Sequence, residues 1–152
     1  IDNDLDDDGV VDSGLICALS DCDTSFEWGC VEIDQQGLPN VISNPPSGLG
    51  AEIGDGMTNT NELLNDCIDA PAASAARSLG EKWFLPSAKE LNEMYKHKHV
   101  LEAVSGVDLF IYYYWSSTES NSLRAWTEGF DECDQHDAYK VNLFNVRAVR
   151  AF

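Results

Sequence analysis

The stretch Trp83-Phe84-Leu85-Pro86-Ser87-Ala88-Lys89-Glu90-Leu91 carries the clearest structural signal in the chain. Ser87 and Glu90 have the spacing of a capping box, in which each side chain accepts the backbone N–H of the other residue at the start of a helix. Apolar residues then recur three and four positions apart, as one buried helical face requires. The sequence therefore predicts a helix that begins after Ser87 and runs to about Val104, with Gly106 ending it.

Upstream of this helix, the sequence predicts one strand, one long loop and two short helices. The strand is indicated by the alternation of apolar and polar residues that begins at Phe26. Prolines and glycines mark the loop. The predicted elements are a strand over residues 26–33, a turn over 35–40, a loop over 43–56, a helix from Thr58 or Asn59 to Cys67, and an Ala-rich turn or helix from Ala72 to Leu79.

Downstream of the helix, the chain is typical of antiparallel strands. We predict strands over residues 111–116, 124–130 and 139–152, with residues 131–137 as an acidic connection between the last two. The order of strand, helices and strands predicts an α+β fold.

The charge distribution favours divalent cations as partners and disfavours nucleic acid. The net charge is −18, and sixteen Asp and Glu precede the first basic residue, Arg77. A negative field of this kind repels phosphate backbones and sulfated glycans. No apolar run approaches the ~20 residues that a membrane helix needs, so we expect no membrane span.

The strongest local motif is Asp4-Leu5-Asp6-Asp7-Asp8-Gly9-Val10-Val11-Asp12. Carboxylates at alternate positions of such a loop converge on one cation, and the glycine permits the sharp reversal of the chain. Hard oxygen ligands at this density select calcium over softer metals. The predicted calcium ligands are the side chains of Asp4, Asp6, Asp8 and Asp12 and the backbone carbonyl of Val10.

This loop is an incomplete EF-hand and resembles the DxDxDGxxD loops of thrombospondin type 3 repeats and bacterial surface linkers. Its twelfth position is Leu15, so the bidentate Glu of an EF-hand is missing. A solvated acidic tail is the alternative, but carboxylates this dense repel one another without a counter-ion. We interpret residues 1–20 as an acidic calcium-binding loop or linker and residues 21–152 as the folded domain.

Other candidate sites give weaker signals. Carboxylates and His136 in residues 131–137 could hold a second ion, but an exposed polar connection explains them better. A Cys133–His136 pair has no apparent third group to orient a base. His97 and His99 do not share a helical face. Because there is also no GxSxG, HExxH or phosphate-binding glycine loop, we expect no enzyme activity.

The cysteines favour an oxidising compartment. There are five, at positions 17, 22, 30, 67 and 133, without a CxxC motif or a zinc-finger histidine spacing. In an exported protein such residues form disulfides, and an odd count leaves one over. The first residues are not a signal peptide, so we expect that one has been removed or that the chain is a fragment.

An ordered series of motifs resembles the Lcl C-terminal-domain family of bacterial exported and surface proteins, over about residues 26–152. No single motif is diagnostic, but the ordered set is specific. The series consists of Trp28-Gly29-Cys30, Ile53-Gly54-Asp55-Gly56, Asn59-Thr60, Cys67, Trp83-Phe84-Leu85-Pro86-Ser87, Glu90-Leu91, Met94-Tyr95, Tyr114-Trp115-Ser116-Ser117-Thr118-Glu119, Ala125-Trp126, Phe130, Lys140 and Val146-Arg147-Ala148-Val149-Arg150-Ala151-Phe152.

The resemblance implies a C-type-lectin-like fold, with a twisted antiparallel sheet, flanking helices and long loops. It also implies a Cys30–Cys67 disulfide, because the family pattern carries cysteines at both positions. Cys17 and Cys22 would then be near enough to bridge locally, with Cys133 left over. The sugar-binding tripeptides of calcium-dependent lectins are not matched, since Leu38-Pro39-Asn40 comes too early in the chain.

The resemblance and the acidic loop together favour a secreted, cell-surface module for recognition or adhesion, with a glycan or a surface protein as partner and calcium as its ion. We expect the ligand surface around residues 43–56 and 131–137. The alternative is a self-assembling subunit of an extracellular fibre or surface layer. An enzyme of the related sulfatase-modifying type is the third hypothesis, although the cysteine pair of those enzymes is not recognisable here.

Overall fold

The computed structural model describes residues 4–6 and 8–152, which form a mixed α+β fold with small antiparallel sheets. The described part contains five strands and four helices. In chain order they are β1 (Leu15–Cys17), α1 (Asp55–Asp66), α2 (Pro71–Arg77), α3 (Ala88–Lys96), α4 (Lys98–Glu102), β2 (Tyr113–Asn121), β3 (Arg124–Gly129), β4 (Asp134–Tyr139) and β5 (Val149–Ala151). No helix among these residues is long and apolar enough to cross a membrane.

Two antiparallel sheets organise the chain. β2, β3 and β4 form a meander in that order, and β1 pairs with β5. Residues 15–17, which lie within the segment 1–20, thus pair with the last strand of the chain. Val149 also bridges to Phe84, just before α3. These pairings fix the residues around the acidic loop against the centre of the fold.

The capping box predicted at the start of α3 is confirmed. The backbone N–H of Glu90 donates to Ser87 Oγ at 3.3 Å, and that of Ser87 donates to Glu90 Oε2 at 2.7 Å. The predicted length is wrong, because α3 ends at Lys96 and a separate short helix follows. At the break, the His97 imidazole lies 2.9 Å from the Glu93 carbonyl oxygen, which the His97 backbone N–H also contacts.

Glu90 gives α3 a testable dependence on pH. Its carboxylate is fully buried and accepts backbone N–H groups of Ser87, Gly54 and Gly56. Burial raises its pKa from 4.5 to about 7, against the opposing effect of those N–H donors. Because the folded-state pKa lies above the unfolded-state pKa, protonation stabilises the fold. That contribution is complete below about pH 4.5 and is lost as the pH rises to about 7.

We therefore expect Glu90→Gln to destabilise the protein more strongly at pH 5 than at pH 8. Part of the loss, about 1–3 kcal/mol, comes from backbone donors that then face an amide NH₂ group. Urea unfolding of both proteins from pH 5 to pH 8 measures the difference. Glu93→Gln, on the exposed side of the same helix, is the control. A difference that does not change with pH would contradict the buried-carboxylate explanation.

The predicted strand over residues 26–33 is wrong. Only Phe26 makes a bridge, to Phe144, and positive φ angles at Gly29, Cys30 and Glu32 then turn the chain away. Gly29 is required there, since a Cβ would lie 2.3 Å from the Asp69 carbonyl oxygen. The alternation therefore reflects individual buried side chains in an irregular segment.

The predictions for the C-terminal third are correct for two strands and wrong for the rest. β4 lies where we expected a connection, over much of residues 131–137, and most of residues 139–152 is irregular. The polar residues of this segment do not all face solvent, because the Lys140 and Arg147 side chains are fully buried. The alternation of polar and apolar residues therefore does not mark one exposed and one buried face of a strand.

The first helix also differs from the prediction, because α1 begins at Asp55, earlier than predicted.

Tryptophan side chains tie the long loop region to the sheet. Three indole N–H groups each donate to the backbone carbonyl of a residue far away in the sequence, with Nε1–O distances of 2.7–2.8 Å. The pairs are Trp28 with Ser116, Trp115 with Phe26, and Trp126 with Val41. The irregular residues before α1 are thereby held in a defined place.

Two buried cations complete the core. Lys140 pairs with Glu119, donates to the Ile33 carbonyl at 3.1 Å, and lies over the Trp28 ring. Arg147 pairs with Asp21 at 2.6 Å. Arg147 of the C-terminal segment is thereby neutralised by a carboxylate of the same domain.

The structure joins Cys30 to Cys67 by a disulfide, as the resemblance implied. Cys17, Cys22 and Cys133 are free. The predicted local bridge between Cys17 and Cys22 is therefore absent from the described residues. Cys22 instead contacts the Ala75 carbonyl, and burial raises the pKa of both thiols.

Candidate metal centre

The aspartates of the acidic loop converge, as the sequence predicts. One carboxylate oxygen each from Asp4, Asp6 and Asp8 lies within 4.8 Å of the others. Asp4 shapes the loop, because its two oxygens accept the backbone N–H groups of Asp8 at 3.0 Å and Gly9 at 2.8 Å. Gly9 has φ +84°, a conformation that side chains disfavour, so the glycine permits this reversal.

Asp12 and Val10, the other two predicted ligand residues, make hydrogen bonds within the loop. The Asp12 carboxylate accepts the Leu5 backbone N–H at 2.7 Å and so closes the loop. The Val10 backbone N–H donates to Asp8 Oδ1 at 2.9 Å. The structure thus brings together Asp4, Asp6 and Asp8, and among the described residues no further carboxylate joins their cluster. Asp7, which the motif also contains, lies outside the described residues.

Asp6 is the residue that most favours a bound cation. Its side chain is only 3% exposed, and its Oδ1 atom has no hydrogen-bond partner among the described residues. A buried carboxylate oxygen without a partner is costly, since it has lost its water without replacement. A hard divalent cation would satisfy it, so the donor set of the loop fits calcium.

Lys82 is a residue of the candidate site that the sequence analysis missed. Its ammonium donates to Asp6 Oδ2 at 2.9 Å and to Asp8 Oδ2 at 2.6 Å. The hydrogen bond from Lys82 is the largest cause of a lowered pKa at Asp8. No local signal could have found Lys82, because it lies 76 positions from Asp6 in the sequence.

The loop is docked on the domain at several points. The Leu5 side chain packs beside Gly54, the residue before α1. A Cβ atom added at Gly54 would lie 3.6 Å from Leu5 Cδ2, an ordinary van der Waals distance. The Ser13 backbone N–H donates to the Phe152 carbonyl at 2.6 Å. Both ends of the acidic loop therefore contact the domain.

The acidic residues 131–137 form no comparable cluster. Each of four carboxylates contacts another protein group, which explains them without an ion. The contacts are Asp131 with Lys98, Glu132 with the Tyr113 hydroxyl, Asp134 with His136, and Asp137 with Arg124. In the candidate pair, Cys133 and His136 contact different groups. The Tyr95 hydroxyl donates to Cys133 Sγ, and His136 contacts Asp134.

A cleft of about 490 Å³ lies where the two predicted ligand segments meet. Its lining includes residues 43–47, Asn92 and Lys96 of α3, and Gln135 of β4. The lining combines hydroxyl, amide and charged groups with two prolines, so it offers a ligand both polar and apolar contacts.

Comparison with known proteins gives no relative: no family model matches the chain, and no curated protein is similar enough to count as a match. The resemblance to the Lcl C-terminal-domain family therefore stays a prediction.

Proposed function

We propose that this chain is a non-enzymatic, extracellular bacterial surface module that recognises a glycan or surface protein and holds a structural calcium ion in its N-terminal loop. The observation that carries the proposal is the convergence of Asp4, Asp6 and Asp8, together with a buried Asp6 oxygen that has no hydrogen-bond partner within residues 4–6 and 8–152. A Cys30–Cys67 disulfide supports an oxidising location.

A C-type-lectin-like fold is part of the proposal. It is supported by the antiparallel meander, the helices before it, and the long region between β1 and α1 that contains neither helix nor strand. Fold by itself does not determine the ligand.

Calcium acts mechanically in this proposal. Binding neutralises the aspartates and gives Asp6 Oδ1 a partner. The loop is anchored through Leu5 and Ser13, so ordering it stabilises the domain by linkage.

We expect calorimetry to detect one calcium ion per chain, with a dissociation constant of about 10⁻⁴–10⁻³ M, the range of extracellular calcium modules. Asp6→Asn should remove the binding, because it replaces the buried carboxylate with a neutral amide. Asp23→Asn, an exposed residue outside the loop with the same change in charge, is the matched control. Equal calcium affinity in wild type and Asp6→Asn would contradict the proposed site.

The recognition surface in this proposal is the cleft between residues 43–47, α3 and Gln135. Both segments that we expected to hold a ligand contribute to it. An array of glycans and surface proteins, probed with and without calcium, tests this part, and the absence of any hit counts against recognition.

A fibre or surface-layer subunit is the second candidate, favoured by one observation. Cys133 is exposed and free, so its thiol is accessible to a second chain. Light scattering and non-reducing gels in calcium distinguish the candidates, because a strict monomer at high concentration excludes the subunit.

A further inference from the structure

We propose that Lys82 is a tethered cation of the acidic loop, which holds Asp6 and Asp8 when no divalent ion is bound and competes with calcium for them. This inference rests on the proposed calcium site and concerns its regulation. Lys82 is outside the loop sequence, and its ammonium contacts two of the three converging carboxylates.

The contacts divide the three aspartates into two groups. Asp4 is held by backbone N–H groups, which remain in place whatever the loop binds. Asp6 and Asp8 each give one oxygen to Lys82. A divalent ion that takes these two side chains as ligands therefore meets an ammonium already bound to them.

The charges make the two cations mutually exclusive at close range. An ammonium and a calcium ion that share carboxylates repel each other, and this repulsion is stronger beside a buried side chain than in bulk water. The exchange is physically accessible, because the Lys82 side chain is 53% exposed and carries its charge on a flexible four-carbon stem. Lys82 can leave the aspartates without opening the core.

The buried carboxylate of Asp6 distinguishes this cluster from a group of surface acids. The Asp6 side chain is only 3% exposed, yet Lys82 satisfies only Oδ2, and Oδ1 has no hydrogen-bond partner in the part of the chain that the structure describes. The ammonium is therefore an incomplete substitute for an ion with several coordination positions. The tethered cation keeps the loop folded without calcium and reserves the site for high calcium concentrations.

The test is the calcium affinity of Lys82→Met by calorimetry. We expect it to bind calcium about tenfold more tightly than wild type. The size of this effect is the free energy of the two ion pairs of Lys82 that calcium must displace in the wild type. Lys89→Met is the matched control, because Lys89 forms a partly exposed ion pair with Glu52 and its loss changes the net charge equally. Its calcium affinity should match wild type.

Limited proteolysis in chelator gives an independent readout. The loop of Lys82→Met should be cut near Val10 faster than that of wild type, and calcium should restore protection.

The outcomes separate the two proposals. Calcium binding with equal or weaker affinity in Lys82→Met would overturn the competition and leave the calcium site standing. Equal tightening in Lys89→Met would also overturn it, since net charge would explain the change. Absence of calcium binding in all three proteins would overturn the proposed site and the competition together.

Discussion

Replacing Lys140 with Met is expected to lower the free energy of unfolding by about 3–5 kcal/mol, the usual cost of leaving one partner of a buried ion pair uncompensated. Lys140 and Glu119 both have fully buried side chains. Glu119 also accepts the backbone N–H of Gln35, so loss of Lys140 would leave its buried carboxyl group with that donor alone. Urea unfolding of the wild type and the variant measures the loss.

A double variant isolates the charge from the packing. Glu119→Gln combined with Lys140→Met removes both charges and keeps an oxygen that can accept the Gln35 N–H. Its stability should lie well above that of Lys140→Met alone, because a neutral pair of similar volume often replaces a buried ion pair at little cost. Lys96→Met, which breaks an exposed pair with Glu93, should change stability little. A double variant as unstable as the sum of its single variants would contradict the uncompensated-charge explanation.

Removing the disulfide should cost about 4 kcal/mol. Cys30 and Cys67 are separated by 37 positions, and the loss of unfolded-state entropy from closing a loop of that length gives about this value. Denaturant unfolding of the Cys30→Ala/Cys67→Ala double variant measures it. The bond holds the irregular segment after Trp28 to the end of α1, so we expect the wild-type transition to fall toward that of the variant when reductant is added.

Two controls test that prediction. Reductant should leave the double variant unchanged, and Cys133→Ala, at an exposed free cysteine, should have little effect on stability. Mass spectrometry of unreduced peptides should find Cys30 and Cys67 joined. Alkylation of Cys30 as a free thiol would contradict the pairing.

The parts of the fold that were predicted correctly are those with local causes. The capping box at Ser87 and Glu90 depends on groups three residues apart, so the sequence shows it directly. The convergence of Asp4, Asp6 and Asp8 likewise follows from spacing and from the glycine. The disulfide was expected only from the resemblance, since residues alone do not determine pairing.

The errors arise where contacts between residues far apart in the sequence determine the local structure or the burial of a side chain. Residues 26–33 alternate like a strand, but backbone turns at Gly29 and Cys30 prevent pairing. The buried charges of Lys140 and Arg147 could not be read from a periodic pattern, because each depends on a partner far away in the sequence. Lys82 was missed for the same reason.

Residue-by-residue titration of the ¹⁵N-labelled chain with calcium is the most direct test of the central claim. At millimolar calcium, the amide signals of Gly9 and Val10 should move and then saturate, while those of the sheet β2-β3-β4 stay nearly unchanged. Signals from residues 4–12 that remain at their calcium-free positions throughout would contradict the account.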